Sequence, residues 1–178
     1  MFYITSWSEW NEGTNIEPSK EFRFDYLNVV KKALKKYTPI TPTKDIVKFQ
    51  FQRLWNSGGA TPRWFAAAFD YVKFLDINQK VLLEIDIGTT AARKYMGIGW
   101  YYDEGAWGTD VKNFAWAGEE YKYATLHLNL PAGTKFIQFF ALQVDPPESI
   151  TVLLNSQVVA KFSVETPFKW TVYQAEIQ

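Results

Sequence analysis

Val81-Leu82-Leu83-Glu84-Ile85-Asp86-Ile87 alternates apolar and polar side chains from Leu83 to Ile87, and Gly88 ends the run. Period-two alternation turns one set of side chains toward a core and the other toward water, which is the pattern of a half-buried strand. Similar runs recur on both sides. Upstream, Ile46-Val47-Lys48-Phe49-Gln50-Phe51 alternates loosely, and Asn56-Ser57-Gly58-Gly59 marks a turn or loop. Downstream, 95–102, 124–130, 136–144, 150–154, 158–162 and 171–177 read as strands. Pro131-Ala132-Gly133 and Asp145-Pro146-Pro147 separate three of them sharply. The stretch 63–75, containing Arg63-Trp64-Phe65-Ala66-Ala67-Ala68-Phe69, suits strand or helix and is assigned strand because strands surround it. About eight strands with turns between them and no clear helix predict a mainly β fold, an antiparallel β-sandwich over 45–178.

The residues before this domain follow different rules. Phe2-Tyr3-Ile4 is a short apolar run that reads as a buried strand. In 24–37, Tyr26, Leu27, Val30, Ala33, Leu34 and Tyr37 recur at helical spacing and predict one apolar stripe. Lys31, Lys32, Lys35 and Lys36 fall outside the stripe and cluster late in the helix, where they suit its negative end. Thr38-Pro39-Ile40-Thr41-Pro42-Thr43 reads as a stiff extended linker, since each proline disfavours helix in the residue before it. The expected organisation is therefore a strand-loop-helix unit over 1–37, a Pro/Thr linker over 38–44 and a sandwich over 45–178.

Composition narrows the function classes. The chain has 178 residues with 19 basic and 19 acidic side chains, so no bulk field favours nucleic acid or a membrane surface. There is no cysteine, which removes disulfides, thiolate metal sites and thiol nucleophiles. No apolar run approaches the roughly 20 residues of a membrane span. Met1-Phe2-Tyr3-Ile4 has neither a charged leader nor a cleavage-like segment and is not read as a signal peptide. The compartment stays open, with a secreted or cell-surface parent as one expectation. Aromatics are the outlier: 8 Trp, 10 Tyr and 14 Phe. Most suit a β-sheet core, and a few suit carbohydrate recognition, where sugar C–H faces lie on rings.

Between the predicted strand and helix lies Ser6-Trp7-Ser8-Glu9-Trp10-Asn11-Glu12-Gly13-Thr14-Asn15-Ile16-Glu17-Pro18. Two carboxylates three residues apart, flanked by tryptophans where a strand opens toward a helix, suit an α/β-type active site. Adjacent glutamates push each other's pKa values apart, which is the division of labour that glycoside hydrolysis needs. Ser6 to Glu9 also fits a capping box, in which Ser and Glu side chains satisfy backbone donors at a helix start. The cytokine-receptor pattern Trp-Ser-x-Trp-Ser is rejected, because Asn11 breaks it and no cysteines support it.

The same segment resembles the last strand, loop and helix of endo-α-mannosidase-like glycoside hydrolases, retaining enzymes built on a (β/α)8 barrel. Ser6, Glu9, Trp10, Glu12, Gly13, Thr14, Ile16, Glu17 and Pro18 fit that family's pattern, whereas Trp7, Ser8, Asn11 and Asn15 depart from it. The resemblance implies Glu9 as the base acting on the sugar 2-hydroxyl and Glu12 as the acid/base at the glycosidic oxygen. From the residues themselves, Trp7 and Trp10 offer flat apolar faces to sugar rings, and Asn11, which stands where the family has His, and Glu17 complete the candidate substrate contacts. A whole barrel takes about 250 residues, so only the end of one is represented, like a truncated TIM barrel, and upstream barrel residues are the missing partner.

The sandwich segment carries a looser resemblance. Ile150-Thr151-Val152-Leu153-Leu154-Asn155-Ser156-Gln157-Val158-Val159, with Trp170 and Tyr173 after it, is similar to the late hairpin of galactose-binding-like jelly rolls. Gly99-Trp100-Tyr101-Tyr102 and Phe114-Ala115-Trp116 also look like elements of that group. The region 102–121 is the expected binding loop of this domain, with Trp107 and Trp116 as sugar-stacking candidates beside Tyr102, Asp103, Glu104, Asp110 and Glu119. The competing reading makes it an aromatic plug at the end of the sandwich. Asp103, Glu104 and Asp110 meet calcium's preference for oxygen but show no regular ligand spacing, and no other cofactor is expected. The only histidine, His127, lies between Leu126 and Leu128 and is read as structural.

Two functional expectations follow. One is the C-terminal portion of an endo-α-mannosidase-like hydrolase with an accessory sandwich, acting on a mannose-containing oligosaccharide or polysaccharide. The alternative is a stand-alone, non-catalytic carbohydrate-binding or structural module. Neither involves nucleic acid or a membrane span.

Overall fold

The computed structural model describes residues 43–58, 63–106, 111–118, 121–144, 148–164 and 166–177, with 102, 103 and 148 described by backbone alone. The chain divides after Pro42, and all of these residues belong to the unit Thr43–Gln178. The predicted β/α unit over 1–37 lies outside the described residues.

Among the described residues the fold is mainly β, with antiparallel sheets. One sheet has four strands: β1 (Asp45–Phe51), β8 (Tyr123–Leu128), β10 (Glu148–Leu154) and β11 (Gln157–Val164), in the order β11-β10-β1-β8. The other has six: β4 (Ala67–Leu75), β5 (Val81–Asp86), β6 (Trp100–Asp103), β7 (Ala115–Ala117), β9 (Phe136–Gln143) and β12 (Thr171–Glu176). Its order is β12-β9-β4-β7-β6, with β5 also paired to β4. A two-stranded ribbon joins β2 (Trp55–Asn56) to β3 (Trp64–Phe65).

The two larger sheets share one core. Val47, Phe49 and Phe51 on alternate positions of β1 are buried against Phe69 and Phe139 from the six-stranded sheet. Phe49 lies 4.8 Å from the Phe69 ring and 5.2 Å from the Phe139 ring. Trp100 reaches Phe69 at 5.4 Å edge-on, an arrangement that suits the ring quadrupoles. Its indole N–H also donates to the Thr125 carbonyl at 2.7 Å, so β6 and β8 are tied across the core by a satisfied buried donor.

β4 is the spine of the larger sheet. One edge pairs with β9 along its length, and the other pairs first with β7 and then with β5. The run Ala66-Ala67-Ala68-Phe69 is ambiguous by propensity because alanine favours helix. The strand assignment holds because this run is buried on both faces. Ala67 and Phe69 enter the main core, whereas Ala68 enters a second cluster with Phe65, Val111, Phe114, Trp116, Leu142 and Val144. Methyl side chains leave room for large rings on either side.

The strand expected over 95–102 is shorter than predicted. A 3₁₀ turn occupies Thr90–Lys94, Met96 makes an isolated bridge to Leu126, and regular pairing begins only at Trp100. Gly99 has φ +84°, and a β-carbon there would meet the Tyr123 carbonyl oxygen at 2.0 Å. The segment therefore crosses close over β8 and cannot continue as a pleated strand. Its backbone still serves β8: Gly97 N–H donates to Thr125 O, Thr125 N–H to Ile98 O and His127 N–H to Tyr95 O. An otherwise open sheet edge is covered in this way.

The 150–159 hairpin forms as read. Asn155 and Ser156 both have positive φ, +49° and +72°, the geometry of a two-residue type I′ turn. The Asn155 side chain accepts a hydrogen bond from Ile46 N–H and donates to Asp45, which pins the turn to the start of β1.

The buried aromatic junction is expected to dominate stability. Phe69→Ala should cost about 3–5 kcal/mol in urea denaturation, and Val158→Ala on the exposed face should stay within about 0.5 kcal/mol. Equal effects of the two substitutions would contradict this account of the core.

Candidate functional site

The most exposed tryptophan of the described residues sits on the small ribbon. β2 and β3 pair Trp55 with Phe65 and Asn56 with Trp64. Alternation along β3 sends Phe65 inward, where it stacks on Trp116 at 4.1 Å, and leaves Trp64 45% exposed. Trp55 is 37% exposed and rests against Phe65 at 5.1 Å.

The Trp64 backbone is held on both sides by one phenol. The Tyr101 hydroxyl accepts from Trp64 N–H at 3.2 Å and donates to Trp64 O at 3.1 Å. Arg63 lies over the Tyr101 ring, 4.3 Å from its centroid, and pairs with Glu104. The hydrogen bond to Glu104 raises the pKa of an already basic guanidinium, so Arg63 stays ionised. The ring of Trp64 is thus mounted on an ordered base, which lowers the entropy that a ligand would have to offset.

Trp64 lines an open groove together with Arg53, Leu54 and Lys122. Arg53 and Leu54 follow directly on β1, and Phe51 N–H donating to Lys122 O at 2.8 Å brings the approach to β8 alongside them. Leu54 packs against the main core and forms the apolar floor. Chemically the groove offers a flat indole face with cationic donors around it. Among the described residues no paired acid and base line it.

A second polar cluster lies across β4 and β5. Asp70 is the extra residue where the register of β4 against β9 shifts between Phe69 and Tyr71. Its pKa is raised from 3.8 to about 6, chiefly by burial and then by the charges of Asp86 and Glu84, with Lys73 opposing. Asp86 is also raised, by burial and by Glu84. Lys73 sits 3.4 Å from Glu84 and 4.1 Å from the Tyr71 ring centroid. Among the described residues no group of three or more His, Asp or Glu side chains is placed to hold a metal ion.

Of the residues singled out by sequence, Trp7, Glu9, Trp10, Asn11, Glu12, Glu17 and Trp107 lie outside the described residues. Trp116 is 7% exposed, stacked on Phe65 and edge-on to Phe114 at 5.6 Å. Its placement is that of a plug residue in the second cluster. Of the calcium candidates, Glu104 is engaged by Arg63, the Asp103 side chain is not described, and Asp110 lies outside the described residues. His127 approaches Thr125 Oγ1 at 3.2 Å inside β8. No described helix is long and apolar enough to cross a membrane.

Arg53, Trp64 and Lys122 did not stand out in the sequence. The one available signal was the strand assignment of 63–75, which by alternation sets Trp64 opposite Phe65. Comparisons with protein-family models, curated proteins and solved structures return no match to this chain.

Asp70 gives the domain a definite pH signature. Between about pH 4 and 6 the native state binds more protons than the unfolded state, so stability falls as pH rises through that window. Allowing for solvent screening of a part-exposed group, the ionised carboxylate costs about 1 kcal/mol. Asp70→Asn should therefore stabilise by about that amount in urea titrations at pH 7.5 and by little at pH 4. An equal effect at both pH values would remove the burial account.

Proposed function

We propose that this chain is the C-terminal portion of a retaining, endo-α-mannosidase-like glycoside hydrolase. In this reading 1–37 ends its barrel, and 45–178 is a carbohydrate-associated sandwich of the galactose-binding-like, jelly-roll kind. The observation that carries the catalytic half is the Ser6-to-Pro18 pattern, in which Glu9 and Glu12 keep the spacing and the flanking Trp10, Gly13 and Thr14. Glu9 acts as base toward the 2-hydroxyl of a mannoside, and Glu12 gives and later retrieves the proton at the glycosidic oxygen. Chemistry of this kind needs a substrate held within a few tenths of an ångström, so it belongs to the complete barrel.

Support for the sandwich half comes from the exposed Trp64 face in its open groove. An indole ring offers a pyranose an apolar surface, and the neighbouring side chains offer hydrogen bonds at its rim. The second reading, a non-catalytic module on its own, rests on the same surface and is separated from the first by activity.

Two measurements test the proposal. In a polypeptide that includes the upstream barrel, Glu9→Gln and Glu12→Gln should each lower kcat by about 10²–10⁴-fold with unchanged melting temperature. Unchanged turnover in both variants would refute the catalytic assignment. Titrating the full chain with mannose oligosaccharides should quench tryptophan fluorescence, and Trp64→Ala should weaken binding about tenfold or more, the equivalent of about 1.4 kcal/mol. No response at millimolar sugar would leave the sandwich a structural role only.

A further inference from the structure

The outer face of the four-stranded sheet carries a row of polar and aromatic side chains that the strand register fixes residue by residue. Val47, Phe49 and Phe51 point into the core, so Lys48 and Gln50 point away from it. Gln50 lies directly opposite Tyr123 on β8 and opposite Thr151 on β10, and Thr151 lies opposite Lys161 on β11. Tyr123, Gln50, Thr151 and Lys161 therefore stand side by side on one face, one from each strand of the sheet. Gln50 and Lys161 are exposed, and Tyr123 and Thr151 are half-buried. At the β8 end the Tyr121 ring, 44% exposed, lies 5.6 Å from that of Tyr123. Lys48 sits over the Tyr123 ring, 4.8 Å from its centroid.

We infer that this row is a subsite for an extended, uncharged glycan chain lying across the strands. The inference rests on the carbohydrate-binding reading and specifies the form of its ligand, a chain instead of a single sugar. The tyrosine hydroxyls, the amide, the threonine hydroxyl and the ammonium together supply donors and acceptors, as neutral sugar hydroxyls require. The tyrosine rings add an apolar surface for sugar C–H faces. Three strand spacings make the row about 14 Å long, enough for about three sugar units in line. The row is also continuous with the Trp64 groove. Lys122, which lines that groove, stands between Tyr121 and Tyr123, and its carbonyl accepts from Phe51 N–H beside Gln50. Groove and row therefore meet at 121–123, and one chain spans both. A second copy of the protein is the competing occupant of such a face. The row disfavours it, because the centres of protein–protein interfaces are depleted in lysine.

The test is a calorimetric titration of the full chain with neutral mannose oligosaccharides of increasing length, from the disaccharide to the hexasaccharide. Affinity should rise about tenfold or more along the series, because each added unit meets a further part of a surface to which the chain is already tethered. Gln50→Ala and Tyr121→Ala, both at exposed positions, should each remove most of that gain with unchanged melting temperature. Ile77→Ala, exposed on the other sheet's β4–β5 turn, should leave the whole series unchanged. Trp64→Ala should weaken binding at every length. Affinity independent of length, or a length gain that survives both Gln50→Ala and Tyr121→Ala, overturns the inference and leaves the carbohydrate reading standing. No binding of any oligosaccharide overturns the carbohydrate reading and the inference with it. A dimer in sedimentation equilibrium that Gln50→Arg converts to monomer overturns the inference in favour of a second copy.

Discussion

The packing of Phe69 on β4 is the contact from which the rest of the sandwich-like unit follows. Its ring meets Phe49 from the opposite sheet, Phe139 from the neighbouring strand and Trp100 from the far side of its own sheet. One side chain therefore joins both layers and three segments distant in sequence. Burial of rings of this size contributes roughly 1.5–3 kcal/mol each, which makes such a junction a large share of a marginal total. The alanines preceding Phe69 matter for the opposite reason. They contribute little area themselves, yet only small side chains allow β4 to be covered on both faces at once.

That double covering also shapes the surface. The second cluster, built on Ala68 with Phe65, Phe114, Trp116 and Leu142, buries rings that sequence composition alone marks as candidate sugar platforms. The ribbon that contributes Phe65 to this cluster necessarily turns Trp64 the other way, because adjacent residues of a strand point to opposite faces. The exposed platform is thus the counterpart of the plug. Tyr101 links the two, packing against the second cluster while its hydroxyl holds the Trp64 backbone.

The electrostatics divide in the same manner. On the ribbon side, Arg63 and Glu104 neutralise each other beside Tyr101, and Arg53 and Lys122 line the open groove. On the β4–β5 side, Asp70 sits at a register shift among carboxylates, and burial raises its pKa. A bulge aims one extra side chain out of the regular alternation, and here that side chain is ionisable. The second arrangement makes the fold itself sensitive to pH.

Period-two alternation marks the strand at 83–87, and more loosely that at 46–51, since a strand half-covered by a core must alternate wherever it sits, and the structure forms strands there over Asp45–Phe51 and Val81–Asp86. The hairpin at Asn155-Ser156 was equally local, with two positive-φ residues between apolar runs. The 95–102 strand was misjudged for a tertiary reason: the glycine at 99 answers to the Tyr123 carbonyl, a neighbour only after folding. The same holds for function. The Ser6-to-Pro18 pattern is legible because its two carboxylates and their flanks lie in one stretch of chain. The groove of Arg53, Trp64 and Lys122 is drawn from three separated segments, and nothing in their local pattern distinguishes them from other surface residues. Composition and alternation determined that this domain is β and rich in buried rings. Which rings meet water was decided only by folding, because burial depends on what the opposite sheet and the covering ribbon bring to each face.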